Sequence, residues 1–334
     1  MQRDRGQVDS AGTTTGRVRL AVTMGDPAGI GPEVVLRAAA DRDRPNVALR
    51  VYGPRAVLVD RARRFSLAGP DELDLDVTDI PLPEAPPLGR VSAVAGRAAA
   101  EAVLAAARDA LAGEVAGIVT APLNKESLHA AGYPWPGHTE MLADVAATPD
   151  VAMMFVGGSL RVALVTIHRS LRSVPDAVTA SEVMRVVRLV HRELPRFAPG
   201  RRRIALCGLN PHAGEGGLFG REEVEVLGPA ADALRAEGVD LDGPLPADSL
   251  FVRAARGEYD AVVAGYHDQG LIPVKLVSFG HAVNVTLGLP FVRTSVDHGT
   301  GFDIVEKGVA DGKSLVEAIQ LAARLVTGGG EPGP

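Results

Sequence analysis

The sequence predicts an α/β fold, and three observations carry that reading. Short β-branched or apolar runs alternate with Ala-rich amphipathic segments, the pattern of strands joined by helical crossovers and paired mostly in parallel. Several of these runs stop where a Gly, Pro, Asn or His opens a loop. The 334 residues are 46% hydrophobic and 23% charged, a globular composition long enough for two α/β domains or one large one.

In chain order, the expected strands are VRLAVTM (18–24), ALRVYG (48–53), AGIVTA (116–121), VAMMFVG (151–157), LRVALVTI (160–167), RIALCG (203–208) and DAVVAG (260–265). Between the second and third, 91–113 reads as an Ala-rich helix. The segment 179–194 reads as another: Thr179 and Glu182 have capping-box spacing, and Val183, Val186, Val187, Val190 and Leu194 share one face. The last helix repeats the device with Ser314 and Glu317, followed by Ala318, Ile319, Ala322 and Val326. PLPEAPPLG (81–89) is a Pro-rich linker or surface loop, and residues 1–17 and 328–334 read as disordered tails.

Composition excludes several function classes. The net charge of −6 gives no global reason to bind nucleic acid or an anionic membrane, whereas a small anionic ligand remains compatible with a local basic pocket. A single cysteine, Cys207, leaves no intrachain disulfide, Cys-based zinc site or iron–sulfur cluster. The polar start and the lack of any apolar run near ~18 residues signal neither secretion nor membrane spanning, so cytoplasm is the expected compartment.

Three histidines, His168, His212 and His267, each follow an expected strand. In open α/β sheets ligands gather at the carboxyl ends of strands, and three imidazoles with an open position suit a catalytic divalent metal. A structural or solvated histidine is the bland reading of each alone. Asp248 and Asp268 stand close enough in sequence to orient such ligands. Lys275, Asn284 and Arg293 follow in apolar surroundings and together suit a phosphate or carboxylate; surface charges at strand ends are the plainer explanation of any one. GHTE (137–140) offers His138 and Thr139 as hydrogen-bonding groups or Thr139 as a helix cap. The glycines of NPHAGEGGLFGREE (210–223) suggest a loop passing close to a ligand, or a flexible surface loop. TMGDPAGIGPE (23–33) has neither the dinucleotide fingerprint nor the phosphate-loop Lys, so it is a tight turn or an anion site, and no Rossmann carrier of a nicotinamide.

These stretches, together with TAPLNKESLHAAGYPWPGHTE, DGPLPADSLF, YHDQGLIPVK and VNVTLGLPFVRTSVDHGTGFDI in this order, resemble the 4-hydroxythreonine-4-phosphate dehydrogenase family of pyridoxal phosphate biosynthesis, from about Arg17 to Val326. The resemblance implies a two-domain α/β/α fold like isocitrate and isopropylmalate dehydrogenases, working as a homodimer with the active site at the interface. It implies a first domain of 18–125 and 285–327 and a second of 126–284. It places one divalent metal (Zn, Mg, Mn or Co) on His168, His212 and His267, with His267 completed by a partner subunit. Substrate contacts fall on His138, Thr139, Lys275, Asn284 and Arg293, and the alcohol proton goes to Asp248 or Lys275.

The implied reaction is NAD-dependent oxidation of a secondary alcohol to a β-keto acid that loses its carboxylate, on 4-(phosphooxy)-L-threonine. DHGTGFDIVEKG (297–308) resembles the loop that wraps the cofactor's adenosine, with Gly299, Thr300 and Asp303 as contacts. It departs from the family's AFDIAGKG at Gly301, Val305 and Glu306, and an added carboxylate either fits NAD over NADP or changes the geometry of the loop. APLNKE (121–126) leans towards paralogues that act on 4-phospho-D-threonate or 4-phospho-D-erythronate. A non-catalytic phosphate or sugar-acid binding protein and a three-histidine metallohydrolase are the readings from other classes.

Overall fold

Residues 13–14, 17–200 and 202–328 are described by the computed structural model. β1 (Thr13–Thr14) pairs antiparallel with the start of β2 (Arg17–Thr23), so part of the expected first tail is a strand; the remainder of that tail and 329–334 lie outside the described residues. There follow α1 (Gly31–Ala40), β3 (Ala48–Gly53), α2 (Arg55–Phe65), β4 (Asp76–Asp79), α3 (Ala93–Leu111), β5 (Gly117–Thr120), α4 (Lys125–Ala130) and α5 (His138–Val145). Pro32 opens α1, where its missing N–H would have had no partner anyway, and the Ser92 hydroxyl caps α3.

The chain then enters a second unit. It comprises β6 (Ala152–Gly157), β7 (Leu160–Leu164), α6 (Val174–Ala177), α7 (Ala180–Glu193), β8 (Ile204–Cys207), α8 (Gly228–Ala236), β9 (Leu241–Leu245), α9 (Ala247–Ala255), β10 (Ala261–Ala264), α10 (His267–Ser278) and β11 (Val283–Leu287). It returns to the first unit with β12 (Val292–Ser295) and α11 (Lys313–Thr327). The exchange points are 149/150 and 288/289, whereas the resemblance implied 125/126 and 284/285. The difference has a packing cause: α4 and α5 stack on α3 and stay with the first unit.

In unit 1 the sheet order is β4-β3-β2-β5-β12, all parallel, with α1 and α11 packed together on it and α3 also covering it. Connections reverse direction between β2 and β5, the kind of crevice where open α/β sheets bind ligands. In unit 2 the order is β11-β6-β7-β10-β8-β9; β11, β6 and β7 pair antiparallel, and β7, β10, β8 and β9 pair parallel. Its core runs through Phe155, Val162, Leu164, Val262, Leu271 and Val274. Burying side chains of this size contributes about 1.5–3 kcal/mol each.

All seven expected strands are present. Besides β1, four were not read from sequence. β4 (DVTD) and β9 (LDGPL) are polar or Gly-Pro-bearing, as outer strands tolerate. β11 and β12 lie inside stretches whose polar residues draw attention to ligands. Thr179 caps α7 as expected, its hydroxyl accepting from Glu182 N–H. Ser314 does not cap α11: the helix begins one residue earlier, where Asp311 accepts from Lys313 N–H and the Gly312 carbonyl from Leu315 and Val316. The Gln-Gly pair of YHDQGLIPVK lies in the first turn of α10. Gly270 lies so close to β7 that an added Cβ would stand 2.7 Å from Leu164.

Candidate active site

Unit 1 gathers a buried cluster of donors that could cradle an anion. β12 carries Arg293 into the interior, 2% exposed, where its Nη2 donates to Thr120 Oγ1 (2.7 Å) at the end of neighbouring β5. His138 opens α5 nearby, and its Nε2 is buried with no hydrogen-bond partner. Burial, reinforced by the charges of Arg293 and Lys125, holds the His138 imidazole well below its usual pKa, so it is neutral at physiological pH. Burial also pushes the Arg293 guanidinium down to about 10, against the pull of Glu140, and it remains a cation. Gly137 precedes α5 without a side-chain cap, leaving the N–H groups at His138 and Thr139 at a positive helix end. Two cations, a neutral imidazole and a helix start suit a phosphate oxygen set.

Unit 2 builds an imidazole edge. β7, β10 and β8 are parallel neighbours, so the segments leaving their carboxyl ends emerge side by side. His168 leaves β7, His267 opens α10 after β10, and His212 follows β8. The rings of His168 and His267 have centroids 5.8 Å apart. Two imidazoles on one ion would stand on the order of 5 Å apart, given metal–nitrogen distances of about 2.0–2.1 Å. The Nδ1 of His267 is 2.7 Å from Asp268 Oδ1, the pairing that leaves Nε2 as the ligand atom. The donor set therefore fits a divalent metal at two of the three expected ligands.

His212 stands apart from that pair, its ring against Phe219 at 6.2 Å; among the described residues no three His, Cys, Asp or Glu side chains converge on one point in the chain. It lines a cavity of about 570 Å³ with Asp248, Asp268, Tyr266, Gln269 and Leu276. Its backbone is left-handed (φ 53°, ψ 28°), and so are Ala213, Gly214, Glu215 and Gly216 after it. That conformation costs an L-residue on the order of 1–2 kcal/mol. Asp248 is exposed at the first turn of α9, Lys275 is half-buried within α10, and Asn284 on β11 has a buried Oδ1 with no hydrogen-bond partner.

The 297–308 loop belongs to unit 1. The Thr300 carbonyl accepts from Ile30 N–H (2.9 Å), tying it to the Gly-rich loop. Gly299 and Asp303 are exposed. Gly301, where the family has Ala, takes φ 55°, and an added Cβ would stand 2.9 Å from the Ile30 side chain; both features favour glycine here. Glu306 faces Arg64 at 3.8 Å, both exposed, in a surface pair.

The Gly-rich loop 25–31 is explained by close backbone approach. A Cβ at Gly25 would stand 2.3 Å from the Pro122 carbonyl, and one at Gly29 2.6 Å from that of Thr300. Inside it Asp26, fully buried, accepts from Ala28 N–H through Oδ1; its Oδ2 has no partner, and burial raises its pKa against the Ala28 hydrogen bond.

Sequence reading did not single out Thr120, Lys125 or Asp26. Thr120 ends an expected strand facing Arg293's own, but only the pairing of β5 with β12 reveals its role. Lys125 sits in the quoted motif TAPLNK, which was the available signal.

The model of the family described as pyridoxal phosphate biosynthetic protein PdxA matches residues 27–322. The chain is 47% identical over 330 residues to a D-threonate 4-phosphate dehydrogenase of Cupriavidus necator, covering 92% of this chain and 97% of that one. It is 46% identical over 318 residues to a 4-hydroxythreonine-4-phosphate dehydrogenase of Beijerinckia indica, covering 92% and 94%. A crystal structure of 4-hydroxythreonine-4-phosphate dehydrogenase from Klebsiella pneumoniae superposes with a TM-score of 0.84 at 42% identity, over 92% of this chain and 99% of that one.

Proposed function

Because the chain belongs to the pyridoxal phosphate biosynthetic protein PdxA family, a dehydrogenase family, we propose that it oxidises the secondary alcohol of a phosphorylated four-carbon hydroxy acid with NAD and one divalent metal. The β-keto acid formed then loses its carboxylate. The substrate is 4-(phosphooxy)-L-threonine, or by the second reading 4-phospho-D-threonate or its erythronate isomer. The single observation that carries the proposal is the buried Arg293–Thr120 pair beside a neutral His138, a cradle with cationic donors ready before any ligand arrives.

In the reaction, Arg293, His138 and Thr139 hold the phosphate, with Lys125 adding charge from the start of α4. Burial keeps water from competing for these donors, so each interaction is stronger than at the surface. Lys275 and Asn284 orient the acid end, and Asn284 Oδ1 is a buried acceptor without a partner in the chain. Asp248 or Lys275 takes the hydroxyl proton. His168, His212 and His267 would hold the metal, which when bound polarises the alcohol and then the carbonyl oxygen. Asp268 keeps His267 turned for that duty. Gly299, Thr300 and Asp303 line the approach of the cofactor's adenosine half.

The working form is a homodimer in the cytoplasm, with the metal set completed across subunits. In support, Ile272, Leu276 and Phe279 near the end of α10 expose 65%, 84% and 83% of their surface, an apolar ridge beside the His212 cavity.

For the second reading there is one specific observation. Asn124 in APLNKE, the paralogue signature, spends its side chain on capping α4, accepting from Ser127 N–H at 2.8 Å. Within the signature, Asn124 therefore shapes the loop that carries Lys125. The test is to follow formation of reduced nicotinamide while offering the phosphates of L-hydroxythreonine, D-threonate and D-erythronate in turn, with Mg, Mn, Co or Zn. Turnover of one of them, lost on chelation, is the expected result. No reduced nicotinamide from any of them with every metal would overturn the reading.

A further inference from the structure

We propose that Glu223 is a positioning residue that holds His212 in its ligand pose; this rests on the metal-dependent reading above. The stretch Pro211–Gly217 is wound the wrong way for L-residues, with His212, Ala213 and Glu215 at φ 53°, 51° and 45° and glycines between them. None of those three is Gly or Asn, the residues that adopt this conformation readily. His212 is exposed, so packing of its own side chain does not compensate for the strain. Strained backbone of this kind persists only where its surroundings over-determine it, and it concentrates at functional sites.

The surroundings that do so converge on one carboxylate. Glu223 opens the π-helical turn Glu223–Leu227 and is 4% exposed. Its Oε1 accepts from the backbone N–H groups of Leu209 and Asn210, each at 2.7 Å. Its Oε2 accepts from Asn210 Nδ2 at 2.9 Å, and the same amide nitrogen donates to Glu222 Oε2 at 2.7 Å. Three charge-assisted hydrogen bonds thus clamp the two residues that lead into Pro211 and His212.

The loop then closes over the clamp. A Cβ on Gly214 would stand 2.6 Å from Glu223 Oε2, and one on Gly220 would stand 2.3 Å from Asn210 Nδ2. These two glycines of NPHAGEGGLFGREE are needed for close approach to the clamp, where sequence reading offered a ligand or flexibility. The buried carboxylate sets the path of β8's exit, and that path sets where the His212 ring stands.

The test uses the full-length protein in its native assembly, stripped of metal and titrated with Co²⁺ against a chromophoric chelator, with the visible Co²⁺ spectrum recorded. Glu223→Ala is expected to weaken Co²⁺ binding by about 10–100-fold and to change the spectrum, the range seen for partners that orient metal ligands. Glu223→Gln, which keeps one acceptor oxygen, is expected to weaken it several-fold, and it stands in if the alanine variant does not fold. Ala213→Gly in the Glu223→Gln background is expected to recover part of the loss, since glycine accepts the left-handed turn without strain. Glu225→Gln, on the exposed side of the same turn, is the control and should bind as wild type. Wild-type affinity and spectrum in both Glu223 variants, with His212→Ala impaired, would overturn the role of Glu223 alone. Wild-type binding by His212→Ala would instead overturn the metal reading on which it rests.

Discussion

The anion cradle and the imidazole edge solve opposite problems. Arg293, Thr120 and His138 meet in a dry interior, where charge is held by burial and by pairing of adjacent strands. His168 and His212 are exposed and His267 is only half-buried; the supports lie behind the rings, in Asp268 for His267 and in the Glu223 clamp for the His212 loop. A cradle proposed to grip a dianion would gain from low dielectric, whereas a proposed metal site would have to admit an ion and a substrate and so stay open. Changes to the cradle should therefore disturb binding and folding together, and changes to the imidazole edge should disturb chemistry with folding nearly intact.

The largest expected effects set the two regions against each other. Arg293→Met should lower kcat/KM for the phosphorylated acid by at least 100-fold, corresponding to about 3 kcal/mol of lost charge-assisted binding, mainly through KM. His168→Ala should lower kcat by at least 100-fold while unfolding free energy moves by less than about 1 kcal/mol. Steady-state kinetics with denaturant melts would check both, and a KM defect in His168→Ala matched by wild-type kcat would erase the contrast.

Asp268→Asn should weaken metal affinity by about 10–100-fold, read by chelator competition, because Asn cannot stabilise the Nδ1–H tautomer of His267 as a carboxylate does. Thr120→Val removes one hydrogen bond to Arg293, worth about 1 kcal/mol, so KM should rise roughly fivefold with kcat unchanged and Thr120→Ser should restore it. An unchanged KM would mean that Arg293 needs no help from β5.

The smallest effect is on pH dependence. His138 is held neutral in the folded chain well below its usual pKa, so as pH falls past about 6.5 the unfolded chain takes up a proton that the folded one refuses. The stability this residue supports is thus present above about pH 6.5 and is lost as pH falls below it. His138→Gln should flatten that part of the melting-temperature profile, and an unaltered slope between pH 7 and 5 would place the responsible group elsewhere.

Much of the site was legible because it lies where local pattern is strongest. Each histidine follows an apolar run that ends in a loop, and Arg293 and His138 stand in motifs dense in Gly and polar residues. Thr120 and Glu223 were silent, since a threonine ending a strand and a glutamate in an acidic turn are ordinary until their partners, 173 and 13–14 residues away, are known. Likewise YHDQGLIPVK carries Gly and Pro, which argue locally against a helix. Packing of α10 against β7 and β6 overrides that tendency, with Gly270 giving the close approach.

By itself the sequence determined the alternation of strands and helices, the family, and the chemical types gathered at strand ends, because hydrophobic period and loop punctuation are written in neighbouring residues. Only the tertiary structure decided that β12 lies beside β5, that β7, β10 and β8 bring their histidines to one edge, and that a distant glutamate clamps the His212 loop. Those adjacencies arise when sheets close and burial selects among many register choices, and such contacts between residues far apart in the chain leave no mark in any short stretch of it.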